Sequence, residues 1–274
     1  MDNSNMKQVQ ARILKNKEIA GGFYRMALES KYLAKAAQPG QFVEVKCSDG
    51  PEPLLRRPLG VHRISKIGIE LLYEVVGRGT ELLAQKKGGE LLDIIGPLGN
   101  GFNMDPGPRS LAPVLVAGGN GVAPLLFLAE RLVSKNKNVH VLIGGRSKSH
   151  VLCEKDFKKL GANVKIATED GSKGHKGLVT DLLNDFLRNT NDERRTTIYT
   201  CGPTEMLKTV AAIAREDNIP CQVSLEERMA CGVGVCLGCP VKVKITGYGL
   251  RVTGYEYKMV CKDGPVFSAE EIAW

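Results

Sequence analysis

The chain has 274 residues, eight cysteines, 43% hydrophobic residues, only 5% aromatic ones and a formal net charge of +8. That length suits domains with cores of their own rather than a disulfide-stapled scaffold, and no stretch approaches the roughly 18 apolar residues of a membrane-spanning helix. Residues 1–20 carry no apolar signal core, so a cytoplasmic protein is expected, in which cysteines serve as metal ligands or buried thiols.

Up to about residue 105, short strand-like runs (QVQARIL, FYRMALES, QFVEVKC, IELLYEVVG, ELLDIIG) are separated by Gly21-Gly22, Pro39-Gly40, Asp49-Gly50 and Gly88-Gly89. This spacing predicts an antiparallel barrel or sandwich, with helical periodicity nearly absent. Within it, LLRRPLG (54–60) sets Arg56 and Arg57 at the end of a strand, and EVVGRGTELL (74–83) places Gly77, Gly79 and Thr80 at the opening of a short helix. Paired guanidinium groups and a helix N-terminus suit a diphosphate, although arginines on strand surfaces are also common without one. The proline-rich stretch MDPGPRSLAP (104–113) reads as a linker.

Beyond it, apolar runs at VLVA (114–117), VHVLIGG (139–145), VKIAT (164–168) and TIYTC (197–201) alternate with helical segments at 124–134, 177–187 and 204–216. Continuous apolar strands imply burial on both faces, hence a parallel sheet covered by helices. Between the first strand and helix lie Gly118, Gly119 and Gly121, ahead of Pro124. Glycines there let a diphosphate approach the main chain at a helix N-terminus, although G-x-G-x-x-P departs from the dinucleotide fingerprint and a bare tight turn is the alternative. The second strand ends in Gly144, Gly145, Arg146 and Ser147 instead of an acidic ribose ligand, which leaves NAD against NADP open. Cys201, Gly202 and Pro203 fall at another strand's carboxyl end, where ligands collect and where a structural turn is equally ordinary. Residues 131–176 hold 11 Lys and Arg against 4 Asp and Glu, so attraction of a phosphorylated cofactor is expected there. Nucleic acid is not expected, because the basic residues are not interleaved with aromatic stacking platforms.

After a last strand, CQVSLEE (221–227), Cys231, Cys236 and Cys239 form CGVGVCLGC, and Cys261 follows in KMVCKDGP. The C-x4-C-x2-C…C spacing is that of a [2Fe–2S] ligand set, with Gly232, Gly234 and Gly238 permitting the tight curl. Zinc sites usually bring two close pairs instead, which makes a zinc-stabilised binding module the rival from another class. This final segment looks too short and Gly-rich for a conventional core, so something other than apolar burial is expected to hold it. Cys47, Cys153 and Cys221 read as small buried hydrophobes.

In order, RRPLG, GRGT, GPLGNGF, AGGNGVAPL, CGPTEML and ERMACGVGVCLGC…VCKDGPVF resemble the ferredoxin-reductase-like flavoproteins. More narrowly, they resemble the iron–sulfur electron-transfer subunits of NAD-dependent, two-subunit bacterial dihydroorotate dehydrogenases. The resemblance implies an antiparallel FAD-binding β-barrel over 1–105, a parallel-sheet pyridine-nucleotide domain over 106–225 and a small [2Fe–2S] domain over 226–274. It also implies that Arg56, Arg57, Pro58, Leu59 and Gly60 contribute an FAD motif, with Arg57 on the diphosphate and Leu59 along the flavin. Gly60 stands where the wider superfamily has Ser. Gly77, Gly79 and Thr80 would form the second FAD turn, Gly118 to Pro124 and Cys201-Gly202-Pro203 the nicotinamide side, and Cys231, Cys236, Cys239 and Cys261 the cluster ligands. No acid–base residue is demanded. The implied partner is an FMN-containing catalytic subunit that oxidises dihydroorotate in pyrimidine biosynthesis, in a heterotetramer of two of each. Because the cluster has to approach that flavin, the Gly-rich cluster loop with Val233 and Leu237 is the expected docking surface. An NAD(P)H:ferredoxin oxidoreductase or a sulfide-dehydrogenase-type subunit is the nearest alternative.

Overall fold

Alternation of apolar and polar residues rolls the N-terminal region into a closed antiparallel barrel. Its strands are β1 (Lys7–Ala20), β2 (Phe23–Glu29), β3 (Phe42–Val45), β4 (Arg57–Ile64), β5 (Gly68–Glu74) and β6 (Leu91–Leu98), in the order β1-β2-β5-β4-β3-β6. Closure leaves no free sheet edge, and Ala11, Ile13, Met26, Val43, Val45, Val61, Leu71 and Ile94 fill the interior. The computed structural model describes residues 6–105, 112–189, 196–246 and 252–274. Residues 106–111 of the proline-rich stretch therefore lie outside the described residues. Two short helices interrupt the strands: α1 (Lys31–Ala36), which is not expected, capped by the Ser30 side chain and anchored by buried Leu33, and α2 (Arg78–Gln85), which opens at the Gly77–Thr80 turn where a short helix is expected. Neither is long enough to display a helical period in sequence.

The second unit is a helix-covered sheet. It contains β7 (Ala112–Gly118), α3 (Val122–Ser134), β8 (His140–Gly145), α4 (Glu154–Lys159), β9 (Asn163–Thr168), β10 (His175–Lys176), α5 (Val179–Asn189), β11 (Thr196–Cys201), α6 (Thr204–Glu216) and β12 (Cys221–Ser224). These strands run parallel in the order β10-β9-β8-β7-β11-β12. Helix α3 is apolar almost all round because it serves two cores. Phe127 enters the barrel's core, while Leu125, Leu126 and Leu128 pack with Leu115, Val141 and Ile143 of the sheet.

The remaining residues form a hairpin, β13 (Pro240–Thr246) with β14 (Val252–Met259), then α7 (Val260–Asp263) and β15 (Val266–Ser268). β15 leaves the hairpin and pairs antiparallel with β12, adding a seventh strand to the sheet. The expectation that apolar burial would not hold this segment is corrected here. Cys239, Val243, Val260, Cys261, Phe267 and Ile272 are buried in one cluster with Phe42 and Leu98 of the barrel and Val114, Val116 and Val223 of the sheet. The segment has no core of its own and shares that of its neighbours. No described helix is long and apolar enough to cross a membrane.

Candidate cofactor sites

The first site lies along β4 and the N-terminus of α2. Arg57 donates through Nη1 to the carbonyl oxygens of Leu55 at 2.7 Å and Arg56 at 3.2 Å, and its guanidinium rests against the first turn of α2. A β-carbon at Gly79 would stand 2.5 Å from Arg57 Nε. Arg56 turns away, donating to the Asp93 carbonyl at 2.8 Å and pairing with Asp93 Oδ1 at 2.9 Å. Buried Thr80 builds the turn itself: its Oγ1 accepts from the amides of Val76 at 3.0 Å and Gly77 at 3.3 Å and donates to the Gly77 carbonyl. Leu59 is half-buried against the barrel core, and Pro58 lies opposite Glu44 on β3. No atom comes within 4 Å of where a β-carbon would stand at Gly60 or Gly77. An open strip bounded by one guanidinium and one helix N-terminus suits the diphosphate and flat ring of FAD.

A cleft of about 520 Å³ opens at the carboxyl ends of the parallel strands, where α/β folds bind ligands. Gly119 has φ +53° and open space at its β-carbon position, so its backbone faces the cleft. The other glycines serve close packing of two turns. A β-carbon at Gly121 would fall 2.0 Å from the Cys201 carbonyl oxygen, one at Gly118 2.8 Å from Met206 Sδ, and one at Gly202 2.7 Å from Met206 Cε. Gly118, Gly119, Gly121, Gly202 and Pro203 line the cleft; Pro124 in α3 and Cys201 in β11 are buried behind it. Of the basic residues at 131–176, Arg146 alone lines the cleft, facing Glu74, Glu169, Glu205 and Glu226 in the same lining. The basic surplus of that stretch is therefore not focused on the cleft: Lys158 and Lys173 pair with Glu154, and Lys135 with Asp105. Although β8 ends without an acidic residue, the carboxylate of Glu169 lies in the same cleft lining. Glu169 follows β9, and its amide donates to the Gly145 carbonyl at 3.1 Å, which sets it beside Arg146.

The third site is the cysteine loop. The thiols fall into two pairs by main-chain contact, the Cys236 amide donating to Cys231 Sγ and the Cys261 amide to Cys239 Sγ. The first pair lies at the surface side and the second is buried. Among the described residues, no group of three or more His, Cys, Asp or Glu side chains is arranged to hold one metal ion. Two dithiol pairs instead match a two-iron cluster, which needs two thiolates per iron. Main-chain amides already address the sulfurs: Val233 and Cys236 donate to Cys231 Sγ at 3.5 Å, Gly234 to Cys261 Sγ at 3.1 Å, and Cys261 to Cys239 Sγ at 3.4 Å. Slight burial pushes the Cys231 thiol up, but those amides and the Cys236 thiol outweigh it and hold Cys231 below an ordinary thiol. Burial, then the adjoining Cys239, push Cys261 the other way. Left-handed backbone occurs at Gly232, Gly234 and Leu237, not at Gly238.

Two of the sequence motifs prove to be halves of one contact. In GPLGNGF, Asn100 donates through Nδ2 to the Asp263 carbonyl at 2.8 Å and through its amide to the Gly264 carbonyl at 2.5 Å. A β-carbon at Gly99 would come 2.6 Å from Pro265 Cδ. The end of the barrel thus clamps KDGPVF (262–267), the segment that directly follows Cys261.

A barrel with a diphosphate shelf, a sheet with a nucleotide cleft, and a thiol loop packed on the barrel define a reductase-type electron-transfer flavoprotein that carries an iron–sulfur cluster. Residues 226–273 match the iron–sulfur cluster binding domain of dihydroorotate dehydrogenase B, and residues 115–212 match the oxidoreductase NAD-binding domain. The dihydroorotate dehydrogenase B (NAD(+)) electron transfer subunit of Desulforamulus reducens is 41% identical over 98% of this chain and 99% of its own. That of Caldanaerobacter subterraneus is 41% identical over 97% and 98%. A solved NADH-dependent reduced ferredoxin-NADP oxidoreductase superposes with a TM-score of 0.81 at 32% identity, covering 96% of this chain and 90% of that one. The chain belongs to the family of dihydroorotate dehydrogenase B electron-transfer subunits.

Proposed function

We infer that this chain carries electrons between NAD and the FMN of a separate dihydroorotate dehydrogenase catalytic subunit, in a cytoplasmic heterotetramer of two of each serving pyrimidine biosynthesis. The observation that carries the reading is near-full-length similarity to the electron-transfer subunits, joined to a thiol loop that contacts the barrel strand beside the FAD shelf. When bound, the nicotinamide would exchange electrons in pairs as hydride, FAD would convert between pairs and single electrons, and the cluster would carry them one at a time.

The chain's own residues bind and orient. Arg57 and the first turn of α2 around Gly79 hold the FAD diphosphate, Thr80 shapes that turn, and Gly60 and Gly77 leave room for the flavin. Arg56 braces β4 against β6 through Asp93. Gly118, Gly119, Gly121, Gly202 and Pro203 shape the NAD cleft, with Pro124 and Cys201 packed behind. Glu169 accepts ribose hydroxyls, favouring NAD over NADP. Cys231, Cys236, Cys239 and Cys261 hold the cluster. The domains divide at 1–105, 106–225 and 226–274. Among the exposed loop residues, Val235 and Leu237 offer apolar contact to the catalytic subunit.

Co-expression with the FMN subunit tests the reading. The complex should contain FAD, FMN and acid-labile sulfide and reduce NAD with dihydroorotate. The 32% identity to the ferredoxin-NADP oxidoreductase supports one rival, a ferredoxin-linked reductase. Electron exchange with ferredoxin alone, with no dihydroorotate oxidation in the co-purified complex, would establish that rival.

A further inference from the structure

His62 lies two residues beyond Gly60 on β4 and is fully buried. Its Nδ1 is 2.9 Å from the carbonyl oxygen of Ala123, in the first turn of α3 and two residues after Gly121. Only a protonated ring nitrogen can meet a carbonyl oxygen, so Nδ1 donates and Nε2 is left as an acceptor. Nε2 faces Cys153 Sγ at 3.9 Å. Cys153, the N-cap of α4, has φ +59° and also receives Arg25 Nη2 at 3.6 Å. Burial holds the ring neutral against the Ala123 carbonyl and Asp156, which favour a second proton, while Arg25 and Arg63 disfavour it.

Around this contact, barrel residues face residues of the nucleotide unit. Arg25 pairs with Asp156 at 2.7 Å and Arg63 with Glu130 at 2.5 Å. Those pairs join long side chains that can follow a sliding interface. The His62 bond differs: a stiff ring links a β-strand directly to the backbone at the start of a helix. One end of β4 carries the FAD shelf, and the start of α3 carries the dinucleotide turn.

We propose that His62 is a positioning residue for hydride transfer, fixing through the Ala123 carbonyl how closely the dinucleotide turn approaches the flavin strand. This rests on the assignment of FAD to Arg57–Gly60 and of NAD to Gly118–Gly121. Hydride transfer demands reacting atoms about 3–3.5 Å apart, and a displacement of about 1 Å can lower the rate about 100-fold.

The test uses cofactor-loaded protein carrying His62→Asn or His62→Gln. The Asn amide reproduces the Nδ1 donor, whereas the longer Gln fills more of the ring's volume and places its donor near Nε2. Stopped-flow flavin reduction by NADH should stay within a few-fold of wild type in His62→Asn and fall about 10- to 100-fold in His62→Gln. NADH Kd and FAD content should hold in both. Without cofactors, amide exchange over residues 122–126 should accelerate in His62→Gln only. Equal flavin reduction in both variants, loss proportional to lost FAD, or a His62→Asn that fares worse than His62→Gln would overturn the proposal. Failure of the wild-type flavin to accept electrons from NADH would instead refute the cofactor assignment.

Discussion

Gly232, the residue after the first cysteine of the loop, lies directly on the side chain of Glu44: a β-carbon at 232 would stand 2.6 Å from Glu44 Cγ and 2.8 Å from its Oε1. Its φ of +70° adds a backbone cost of roughly 1–2 kcal/mol for any L side chain. Gly232→Ala should therefore displace Cys231 and lower iron and acid-labile sulfide per chain while FAD content holds. Full iron occupancy in this variant would show that the loop tolerates the displacement.

Glu44 is 1% exposed, and neither carboxylate oxygen has a hydrogen-bond partner. Burial raises its pKa from 4.5 to about 7, with Arg56 and Arg57 opposing and Cys231 reinforcing the shift. A raised carboxyl pKa means the neutral form is the stable one, so this contribution is complete below about pH 4.5 and is lost as pH rises through about 7. The difference is on the order of 3 kcal/mol. Glu44→Gln should flatten that decline and melt higher than wild type at about pH 8. Parallel melting curves for the two proteins between about pH 5 and about pH 8 would contradict the assignment.

Neighbouring arginines should separate by phenotype. Arg57→Ala removes a charged contact to the diphosphate and should weaken FAD retention by about 1.5–3 kcal/mol, read by fluorescence of released flavin. Arg56→Ala breaks the bridge to Asp93 and should lower the melting temperature with FAD affinity nearly unchanged. An inverted pair of results would exchange their roles.

Glycines of the dinucleotide turn should separate in the same way. Gly121→Ala drives a β-carbon to 2.0 Å from the Cys201 carbonyl oxygen, so thermal stability should fall sharply. Gly119→Ala meets no neighbour but adds a methyl group and left-handed strain at the cleft wall. It should raise the NADH Kd about tenfold, or about 1.4 kcal/mol, with a smaller loss of stability. Unchanged NADH binding in Gly119→Ala would remove Gly119 from the site.

The iron–sulfur domain was legible in sequence because its signature is local: Cys231, Cys236 and Cys239 fall within one short loop. The barrel and the parallel sheet were legible through their apolar alternation and runs. Long-range partnerships were not. Arg56 and Arg57 are indistinguishable until Asp93, 37 residues away, claims the first. Glu169 escaped because the acidic residue was sought at the end of β8, whereas it follows the next strand. His62 gave no sequence signal, since its partner lies 61 positions on and offers only a carbonyl. The apolar residues of the last segment seemed too few because they complete a core begun elsewhere.

β15 gives the chain a topology that constrains how such a protein is built and rebuilt. The polypeptide leaves the sheet after β12, makes the thiol loop and hairpin, and returns to zip itself onto β12. Severing it after residue 225 would leave β12 with a bare hydrogen-bonding edge, an invitation to self-association. Cofactor modules here are not beads on a string that can be exchanged at their joints. Any transplant of the iron–sulfur segment has to bring a receiving strand with it.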